Sequence, residues 1–412
     1  MKILFLHSNF PAQFRHLAVN LAQNSENSIV FGTTREEGQI PGVYKFIYTP
    51  SRKPHREIHH YVKPLESAVL QGQAVYRKLE KLKASGFFPD VVYGHSGWGP
   101  TMFIKDIFPK AKMLCYFEWF YNSEGSDVDF DPSELLTADE RLRLRIKNTP
   151  ILTDLYSCDA GLCPTSWQLS QFPKEYHQKL KLLHDGIDTE YFSPQKNEKL
   201  ILPSTGLDLS NAREIVTYVS RGMEPYRGFP QFMEAVSLLQ KRRKKCHVVV
   251  VGEDRVAYGR QLPSGKTYQK LMLSKFDFDL SRLHFTGRLP YQQYLQVLRV
   301  SSVHVYLTRP FVLSWSMLEA MSTGCLIIAS ATQPVQEVIQ DGVNGILVDF
   351  FSPQDIVEKI ENTIDNPDRT EKLRINARKT ILEKYNLKDL LPKHLNWIRK
   401  NINEVPALQP IS

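Results

Sequence analysis

Short apolar runs alternate with longer amphipathic segments along nearly the whole chain. The runs from Lys2 to Leu6 and from Val303 to Leu307 have the continuous apolar character of strands that are buried on both faces. Between such runs, apolar residues recur at helical spacing, as in the long helix predicted from Pro64 to Ser85. This alternation predicts an α/β fold, in which parallel sheets are covered by helices on both faces.

The predicted strands fall into two groups along the chain. They are Lys2–Leu6, Ile29–Phe31, Tyr44–Tyr48, the run after Pro89, Lys112–Phe117, Ala160–Cys163 and Leu180–His184 in the first group, and Ile215–Val219, His247–Val251, Leu283–Thr286, Val303–Leu307, a strand from near Cys325, and Ile346–Val348 in the second. Residues 195–212 are polar and contain Pro203 and Gly206, which favours a linker. We therefore predict two Rossmann-like domains, at residues 1–194 and 213–385.

Length and charge agree with two domains and an anionic ligand. A chain of 412 residues is too long for one ordinary hydrophobic core. Its 52 Lys and Arg outnumber its 44 Asp and Glu, and most of the excess follows residue 200. A positive second half favours a phosphate-bearing ligand or a loose attraction to an anionic membrane surface. Nucleic acid is disfavoured, because the basic run Lys241–Lys245 lacks interleaved aromatic residues.

The cysteines and the start of the chain favour a cytoplasmic protein. The five cysteines have neither zinc-site spacing nor the even number of a disulfide framework, so we expect reduced, buried thiols. The first apolar run is too short for a signal peptide, and no apolar run approaches the length of a membrane span. We expect a cytoplasmic location, with peripheral contact at the inner face of the membrane as a further option.

The segment that follows Val303–Leu307 carries the strongest chemical signal. It contains a predicted helix that begins at Ser314, a good N-cap residue, and is followed by Gly324, which tolerates a positive φ. Free N–H groups at a helix N-terminus bind phosphate, and Glu319 on the same helix could accept hydrogen bonds from two ribose hydroxyls. The segment therefore predicts a nucleotide pocket. A plain strand–helix–strand unit with a solvated Glu319 is the alternative.

Polar residues also follow three predicted strands of the first domain. The loop with Asn9 and Phe10 comes after the first strand, and His95 and Glu118 come after two later strands. Open α/β sheets bind ligands at the carboxyl ends of their strands. We therefore expect these side chains to be near a ligand.

The acidic loop Ser126–Pro132 has the Asp spacing of a calcium site only in part. Pro132 stands where a calcium loop of the EF-hand type needs glycine, and Ala138 stands where it needs glutamate. We expect either an acidic loop near an acceptor or an ordinary helix start at Pro132-Ser133, and we predict no metal site in the chain. A charged helix is predicted from Asp139 to Lys147.

Several motifs together resemble the retaining family-4 glycosyltransferases of the GT-B fold. They are Asp185-Gly-Ile-Asp188 with Tyr191-Phe192, Arg221 with Arg227-Gly228, Gly287-Arg288, Leu318-Glu-Ala-Met321 with Gly324, Glu337, and Asp341-Gly-Val-Asn-Gly345. The match covers nearly the whole chain, and its strength lies in the order and spacing of the motifs. The resemblance implies two Rossmann-like domains that face each other across a cleft. It also implies a final helix, at about 386–412, that packs back on the first domain.

The resemblance implies transfer of a sugar from a nucleotide diphosphate sugar, with retention at the anomeric carbon and without a metal ion or other cofactor. Arg221 resembles the family's clamp arginine for the leaving diphosphate, and Arg227 stands near its usual lysine. A surface ion pair is the alternative for either arginine. Glu319 would hold the ribose, and the loop with Asn9 and Phe10 would face the diphosphate.

The remaining candidates for the donor site lie in the second domain. Gly252 and Arg288 each follow a predicted strand. The backbone N–H groups near the start of the Glu319 helix would add to the phosphate clamp. These belong to Leu313, Ser314, Trp315 and Ser316.

Two departures from the family pattern concern the reacting sugar. The family's first glutamate, eight positions before Glu319, is replaced by Phe311, whose ring cannot hydrogen-bond sugar hydroxyls. Backbone amides or Ser314 would then hold the sugar beside Phe311. The family's histidine in the first domain is also missing, and Glu118 or His95 could take its role. A buried, paired carboxylate and an ordinary loop histidine are the respective alternatives.

Three functions remain open from the sequence. The first is an active glycosyltransferase, for example in polysaccharide biosynthesis, that acts on a saccharide, a lipid-linked saccharide or another hydroxyl acceptor. The second, motivated by Phe311, is a sugar-nucleotide-binding subunit that has lost catalysis. The third is an epimerase or phosphorylase of the same fold.

Overall fold

The computed structural model describes residues 1–263 and 265–403, and these form two units. Unit 1 consists of Met1–Asp185 and the C-terminal segment from Lys388, whereas unit 2 consists of Gly186–Leu387. The chain therefore changes units before the predicted boundary at residue 194. The end of the predicted final helix, residues 404–412, lies outside the described residues.

The strands and helices alternate as the pattern predicted. The strands are β1 Lys2–Leu6, β2 Ser28–Thr33, β3 Val43–Ile47, β4 Val91–His95, β5 Lys112–Tyr116, β6 Ala160–Cys163, β7 Leu180–Leu182, β8 Ile201–Leu202, β9 Leu207–Asp208, β10 Glu214–Gly222, β11 Cys246–Glu253, β12 Leu283–Gly287, β13 Val303–Tyr306, β14 Ile327–Ser330 and β15 Ile346–Val348. The helices are α1 Arg15–Ala22, α2 Lys63–Ala84, α3 Ile104–Ile107, α4 Ala138–Lys147, α5 Thr149–Ser157, α6 Ser166–Ser170, α7 Phe229–Arg242, α8 Tyr268–Lys275, α9 Tyr291–Arg299, α10 Trp315–Ser322, α11 Gln333–Gln336, α12 Pro353–Asp365, α13 Pro367–Lys384 and α14 Leu387–Asn403. Short 3-10 helices occupy Ala12–Phe14, Lys174–Lys179 and Pro225–Arg227.

Unit 1 contains a seven-stranded parallel sheet in the order β3-β2-β1-β4-β5-β6-β7. Alternate residues of each strand face opposite sides of a sheet. Ile3 and Phe5 accordingly belong to the core that contains α1 and α14, whereas Leu4 and Leu6 belong to the core that contains α2 and α5. Burial on both faces explains why β1 is apolar at consecutive positions.

Helix α14 packs on the sheet of unit 1, as the resemblance implied. Leu390, Trp397 and Ile398 are buried in the same core as Phe5. The Trp397 ring meets the ring of Tyr93 edge-on, with 5.6 Å between the ring centroids.

Unit 2 contains a six-stranded parallel sheet in the order β12-β11-β10-β13-β14-β15. The predicted linker, residues 195–212, is a folded part of this unit and carries the antiparallel pair β8 and β9. Leu200, Leu202 and Leu209 anchor it, since all three are buried in the core of unit 2. The polar composition of the segment concealed these three apolar anchors.

The option of a helix start at Pro132-Ser133 is wrong, whereas the charged helix predicted from Asp139 to Lys147 is confirmed as α4, Ala138–Lys147. Thr137 and Glu140 fix its start through a capping box, in which each side chain accepts from the other residue's backbone N–H. The expectation for the cysteines is confirmed, since all five are free and buried.

Candidate functional site

The candidate site of unit 2 lies where the strand order changes direction. Strands β10 and β13 are neighbours, and the chain continues from β10 to β11 on one side and from β13 to β14 on the other. Such a switch point leaves a crevice at the carboxyl ends of the strands, where open α/β sheets bind ligands. Arg221 lies near the end of β10, and Thr308 follows β13 closely. The topology therefore places two predicted segments of the donor site side by side.

Helix α10 begins at this edge as predicted. The Ser314 side chain caps it by accepting from the Ser316 N–H at 3.3 Å, and Gly324 follows the helix with a φ of +82°. The Ser314 N–H donates to the Tyr306 hydroxyl at 2.9 Å. Two of the four backbone N–H groups predicted to bind phosphate are thus used within the protein.

Glu319 lies on the second turn of α10 and is only 7% exposed. Its carboxylate accepts a hydrogen bond from the Tyr294 hydroxyl of α9 at 2.8 Å. Burial raises the pKa of Glu319 to about 7, and the hydrogen bond from Tyr294 offsets part of this shift. The alternative of a solvated Glu319 is therefore wrong.

Arg227 is buried and bound to the protein itself. Its guanidinium donates to the Tyr306 hydroxyl at 3.1 Å, to the Thr308 hydroxyl at 2.8 Å and to the Val312 carbonyl at 3.0 Å. The alternative of a surface ion pair is wrong for this residue, since Arg227 is 5% exposed. Its predicted contact with phosphate remains a prediction. The observed contacts show that Arg227 fixes the loop between β13 and α10.

Phe311 packs into an aromatic cluster. Its ring meets the rings of Tyr226 and Tyr258 edge-on, with centroid distances of 5.3 and 5.2 Å. Glu224, which is fully buried, holds the loop of Tyr258 by accepting from the N–H groups of Ala257, Tyr258 and Gly259. Glu224 and Tyr306 were not among the predicted site residues. The available signal for Glu224 was a carboxylate in the loop that follows a predicted buried strand.

The other candidates of unit 2 lie at the same edge of the sheet. Gly252, near the end of β11, has a φ of +140°, and a Cβ atom there would lie 2.0 Å from the Ser220 carbonyl oxygen. The glycine is therefore required by the close approach of β10. Arg221 and Arg288 are exposed at the ends of β10 and β12, where both guanidinium groups are accessible to a ligand.

A second cluster lies at the carboxyl ends of β1, β4 and β5 in unit 1. The His95 Nε2 atom is 3.6 Å from a carboxylate oxygen of Glu118, and the Gln13 amide donates to the other oxygen at 3.2 Å. His95 is 3% exposed, whereas 28% of the Glu118 side chain is exposed. The structure thus brings both candidates for the missing family histidine together, with Glu118 on the accessible side.

His95 is held from several sides. Its Nδ1 atom lies 2.9 Å from the Ser96 carbonyl oxygen, and its ring meets the His7 ring edge-on at a centroid distance of 4.7 Å. The buried Asp154 carboxylate accepts from the hydroxyls of Ser96 and Thr101, which fixes the loop after β4. Burial raises the pKa of Asp154 to about 6. His7 was not among the predicted site residues, although it directly follows the first buried strand.

Asn9 and Phe10 serve the fold of this loop. The Asn9 N–H donates to His7 Nδ1 at 2.8 Å, and the Asn9 side chain accepts from Arg35 at 3.3 Å. The Phe10 ring meets the Phe31 ring edge-on at 4.9 Å, and the Lys45 ammonium lies 4.7 Å from its centre. Their contact with a diphosphate remains a prediction.

Across residues 1–263 and 265–403, no three His, Cys, Asp or Glu side chains are grouped so that they could hold a metal ion. None of the helices there combines the length and the apolar composition needed to cross a bilayer.

Two family models match the chain, one before the predicted linker and one that begins within it. The model described as glycosyl transferase family 4 group matches residues 25–192, and that described as glycosyl transferases group 1 matches residues 207–380. The chain belongs to the family 4, group 1 glycosyltransferases. The two matches together account for most of the described sequence.

Two curated relatives within this family show partial matches. An uncharacterized glycosyltransferase of Methanocaldococcus jannaschii is 26% identical over 180 residues, which are 43% of each chain. The alpha-D-kanosaminyltransferase of Streptomyces kanamyceticus is 26% identical over 222 residues, which are 53% of each chain. The matched region thus spans about half the length of these curated relatives.

Solved structures of other proteins are similar to this chain and establish that it has the GT-B fold. The Anabaena protein HepE, crystallised with UDP, has a TM-score of 0.68 at 15% identity, over 97% of this chain and 100% of that one. The sucrose-phosphate synthase of Thermosynechococcus elongatus has a TM-score of 0.70 at 15% identity, over 97% of this chain and 98% of that one. At this identity the likeness establishes the fold alone.

Proposed function

We propose that the protein is a retaining, metal-independent glycosyltransferase that moves a sugar from a nucleotide diphosphate donor to an acceptor hydroxyl. One observation carries the proposal: Glu319 is buried beside Tyr294 on the helix that begins at the switch point of unit 2. A buried carboxylate with a raised pKa costs stability unless a ligand or a partner uses it. Two ribose hydroxyls would supply the missing donors.

The leaving diphosphate is the second element of the proposal. Breaking the bond between sugar and phosphate develops negative charge, which fixed positive groups stabilise in the transition state. Arg221 is exposed at the end of β10 and can turn its guanidinium toward two phosphate oxygens. Arg227 supports this by fixing the loop in front of α10 through Thr308 and Val312. Its role in the proposal is thus to position the loop.

Unit 1 supplies the third element. Glu118 is held at one oxygen by Gln13, and its other oxygen faces His95. We infer that the partly exposed carboxylate of Glu118 contacts the reacting sugar and the acceptor hydroxyl during transfer. The acceptor is a saccharide, a lipid-linked saccharide or another hydroxyl compound. We further propose a cytoplasmic location, with peripheral contact to an anionic membrane.

The donor is first sought among UDP-sugars, because HepE was also crystallised with UDP-glucose. A ligand of the native state raises its melting temperature by mass action, so a thermal-shift panel of nucleotide-sugars identifies the base and the sugar. Release of the free nucleoside diphosphate on addition of acceptor then measures transfer. The anomer of the product, read by NMR, tests retention, and an unchanged rate in EDTA tests metal independence.

Glu319→Ala is the decisive variant for the donor site. It should weaken binding of the identified nucleotide about tenfold or more, because two hydrogen bonds to a charged group are lost. Calorimetry on Glu358→Gln, which changes an exposed carboxylate of α12, is the matched control. Equal affinity of the native protein and Glu319→Ala would remove the ribose role.

A binding subunit without catalysis is the second candidate function. Phe311 favours it, because its ring is packed between Tyr226 and Tyr258 and offers no hydrogen bond to a sugar. This candidate predicts nucleotide-sugar binding without release of the nucleoside diphosphate in the presence of any acceptor.

A further inference from the structure

Trp98 lies in the loop after β4 and is 56% exposed. The chain has four other tryptophans, which are all buried or half-buried: Trp119, Trp167, Trp315 and Trp397. The Trp98 ring meets the His95 ring at a centroid distance of 6.0 Å and an interplanar angle of 64°. Since the His95 Nε2 atom is 3.6 Å from the Glu118 carboxylate, only the imidazole of His95 separates Trp98 from the proposed reacting group.

The backbone on both sides of Trp98 is fixed by two helices. Before it, the Gly97 N–H donates at 3.3 Å to Asp154 of α5, whose carboxylate is completely buried. After it, Gly99 has a φ of +101°, and a Cβ atom there would lie 1.9 Å from the Ala68 carbonyl oxygen of α2. The loop therefore holds an exposed aromatic ring on a fixed backbone. A binding group that is already in place loses little conformational entropy when a ligand arrives.

The position of Trp98 distinguishes it from other exposed aromatic residues, which are common on protein surfaces. Phe88 is similarly exposed, at 54%, but it precedes β4 and lies near the amino end of that strand. Trp98 follows the carboxyl end of the same strand, where open α/β sheets bind ligands. An exposed ring at this end of the sheet, next to a histidine and a carboxylate, is therefore suited to contact a ligand.

We propose that Trp98 stacks on a sugar ring of the acceptor, so that the acceptor is a saccharide, either free or lipid-linked. A sugar ring has a face of C–H bonds and a rim of hydroxyls. The face of an indole ring is electron-rich and attracts C–H groups, while the Glu118 carboxylate accepts a hydrogen bond from a hydroxyl of the rim. An acceptor with an open alkyl chain has no such face. This inference rests on the proposed function, in which Glu118 contacts the acceptor hydroxyl.

Binding of saccharides in the absence of a donor tests the inference separately from transfer. The probes are maltose, cellobiose, N,N′-diacetylchitobiose and digalacturonic acid, which represent neutral, N-acetylated and acidic sugars. Because Trp98 is the most accessible tryptophan, quenching of the intrinsic fluorescence by acrylamide reports mainly on it. A bound disaccharide should cover the ring and lower this quenching. Trp98-dependent binding without release of a nucleoside diphosphate would contradict the proposed transfer and still support the role of Trp98.

Three variants of the full chain are compared with the native protein by saturation-transfer NMR. Trp98→Ala should lose about tenfold or more in affinity for the disaccharide that binds, because the ring that covers the sugar face is removed. Trp98→Phe keeps an aromatic face and should stay within about threefold of native. Phe88→Ala, which removes an equally exposed ring at the other end of β4, is the matched control and should bind as the native protein does.

Three results would overturn the inference. The first is native affinity in Trp98→Ala, and the second is an equal loss in Phe88→Ala. The third is binding of none of the four disaccharides to the native chain. Chemical denaturation should show native stability for Trp98→Ala within about 0.5 kcal/mol, since the side chain is exposed, so that a loss of affinity is not a loss of folding.

Discussion

Each unit places its candidate residues at the carboxyl ends of the strands of its own parallel sheet, but the residues of the two units are buried to different extents. In unit 2, Glu319 and Arg227 are almost completely buried, and each is bound to side chains of its own unit. In unit 1, His95 is buried but its neighbour Glu118 is partly exposed. The topology determines at which end of the strands these residues lie, whereas the surrounding helices and loops determine how deeply each residue is buried.

In the proposed function, this difference in depth corresponds to a division between ligand recognition and chemistry. A buried charged group has a fixed geometry and few partners, which suits selection of one ligand group such as a ribose. A partly exposed carboxylate next to a histidine can contact reacting groups as they arrive. We therefore assign recognition of the nucleotide to unit 2 and the chemistry on the acceptor side to unit 1. The following predictions test this assignment.

The largest effect is expected from Glu118→Gln. If the carboxylate acts on the reacting groups, the variant should lose about 10²–10⁴-fold in kcat, while the affinity for the donor stays near native. Steady-state kinetics and calorimetry on the same preparation separate the two quantities. Glu80→Gln, which makes the same change at an exposed carboxylate of α2, is the matched control. Equal losses in kcat and donor affinity for Glu118→Gln would indicate a structural carboxylate.

Substitution of Arg227 should mainly lower the free energy of unfolding, whereas substitution of Arg221 should mainly lower kcat. Arg227→Met removes donors from three buried acceptors and should lower the free energy of unfolding by about 3 kcal/mol. Arg221→Met changes an exposed side chain and should leave stability within about 0.5 kcal/mol of native while lowering kcat. Chemical denaturation and kinetics of both variants check this. A lower free energy of unfolding for Arg221→Met than for Arg227→Met would contradict this prediction.

The smallest effect is a pH dependence of nucleotide affinity. The pKa of Glu319 is raised to about 7, and in the proposed function the ribose hydroxyls bind its ionised form. Affinity should therefore be constant above this pKa and fall by up to about tenfold per pH unit below it. The diphosphate itself titrates in a similar range, so the quantity to measure is the difference between the native protein and Glu319→Gln. Identical pH profiles would show that Glu319 does not titrate with binding.

Most of the fold could be predicted because buried parallel strands are apolar at consecutive positions. Strands β1, β6 and β15 have the predicted bounds, and the N-cap at Ser314 was visible as a local signal. The folded segment at 195–212 was not predictable in the same way, since three separated leucines do not form a run. Helix α4 begins within one residue of the predicted Asp139, and the capping box at Thr137 fixes its start.

The candidate site was predictable in position but not in depth. Residues after buried strands were correctly expected at the sheet edges, which located Arg221, His95 and Glu118. Burial depends on contacts between residues far apart in the chain, so Arg227 could not be distinguished from Arg221 by spacing. Tyr306 was missed for the same reason, because its hydroxyl accepts hydrogen bonds from Arg227 and Ser314 only in the folded chain.

A crystal structure with the bound nucleoside diphosphate tests the central assignment most directly. The proposal predicts that the ribose hydroxyls contact the Glu319 carboxylate and that the diphosphate lies between Arg221 and the start of α10. A nucleotide bound away from both Arg221 and the segment 313–319 would contradict it.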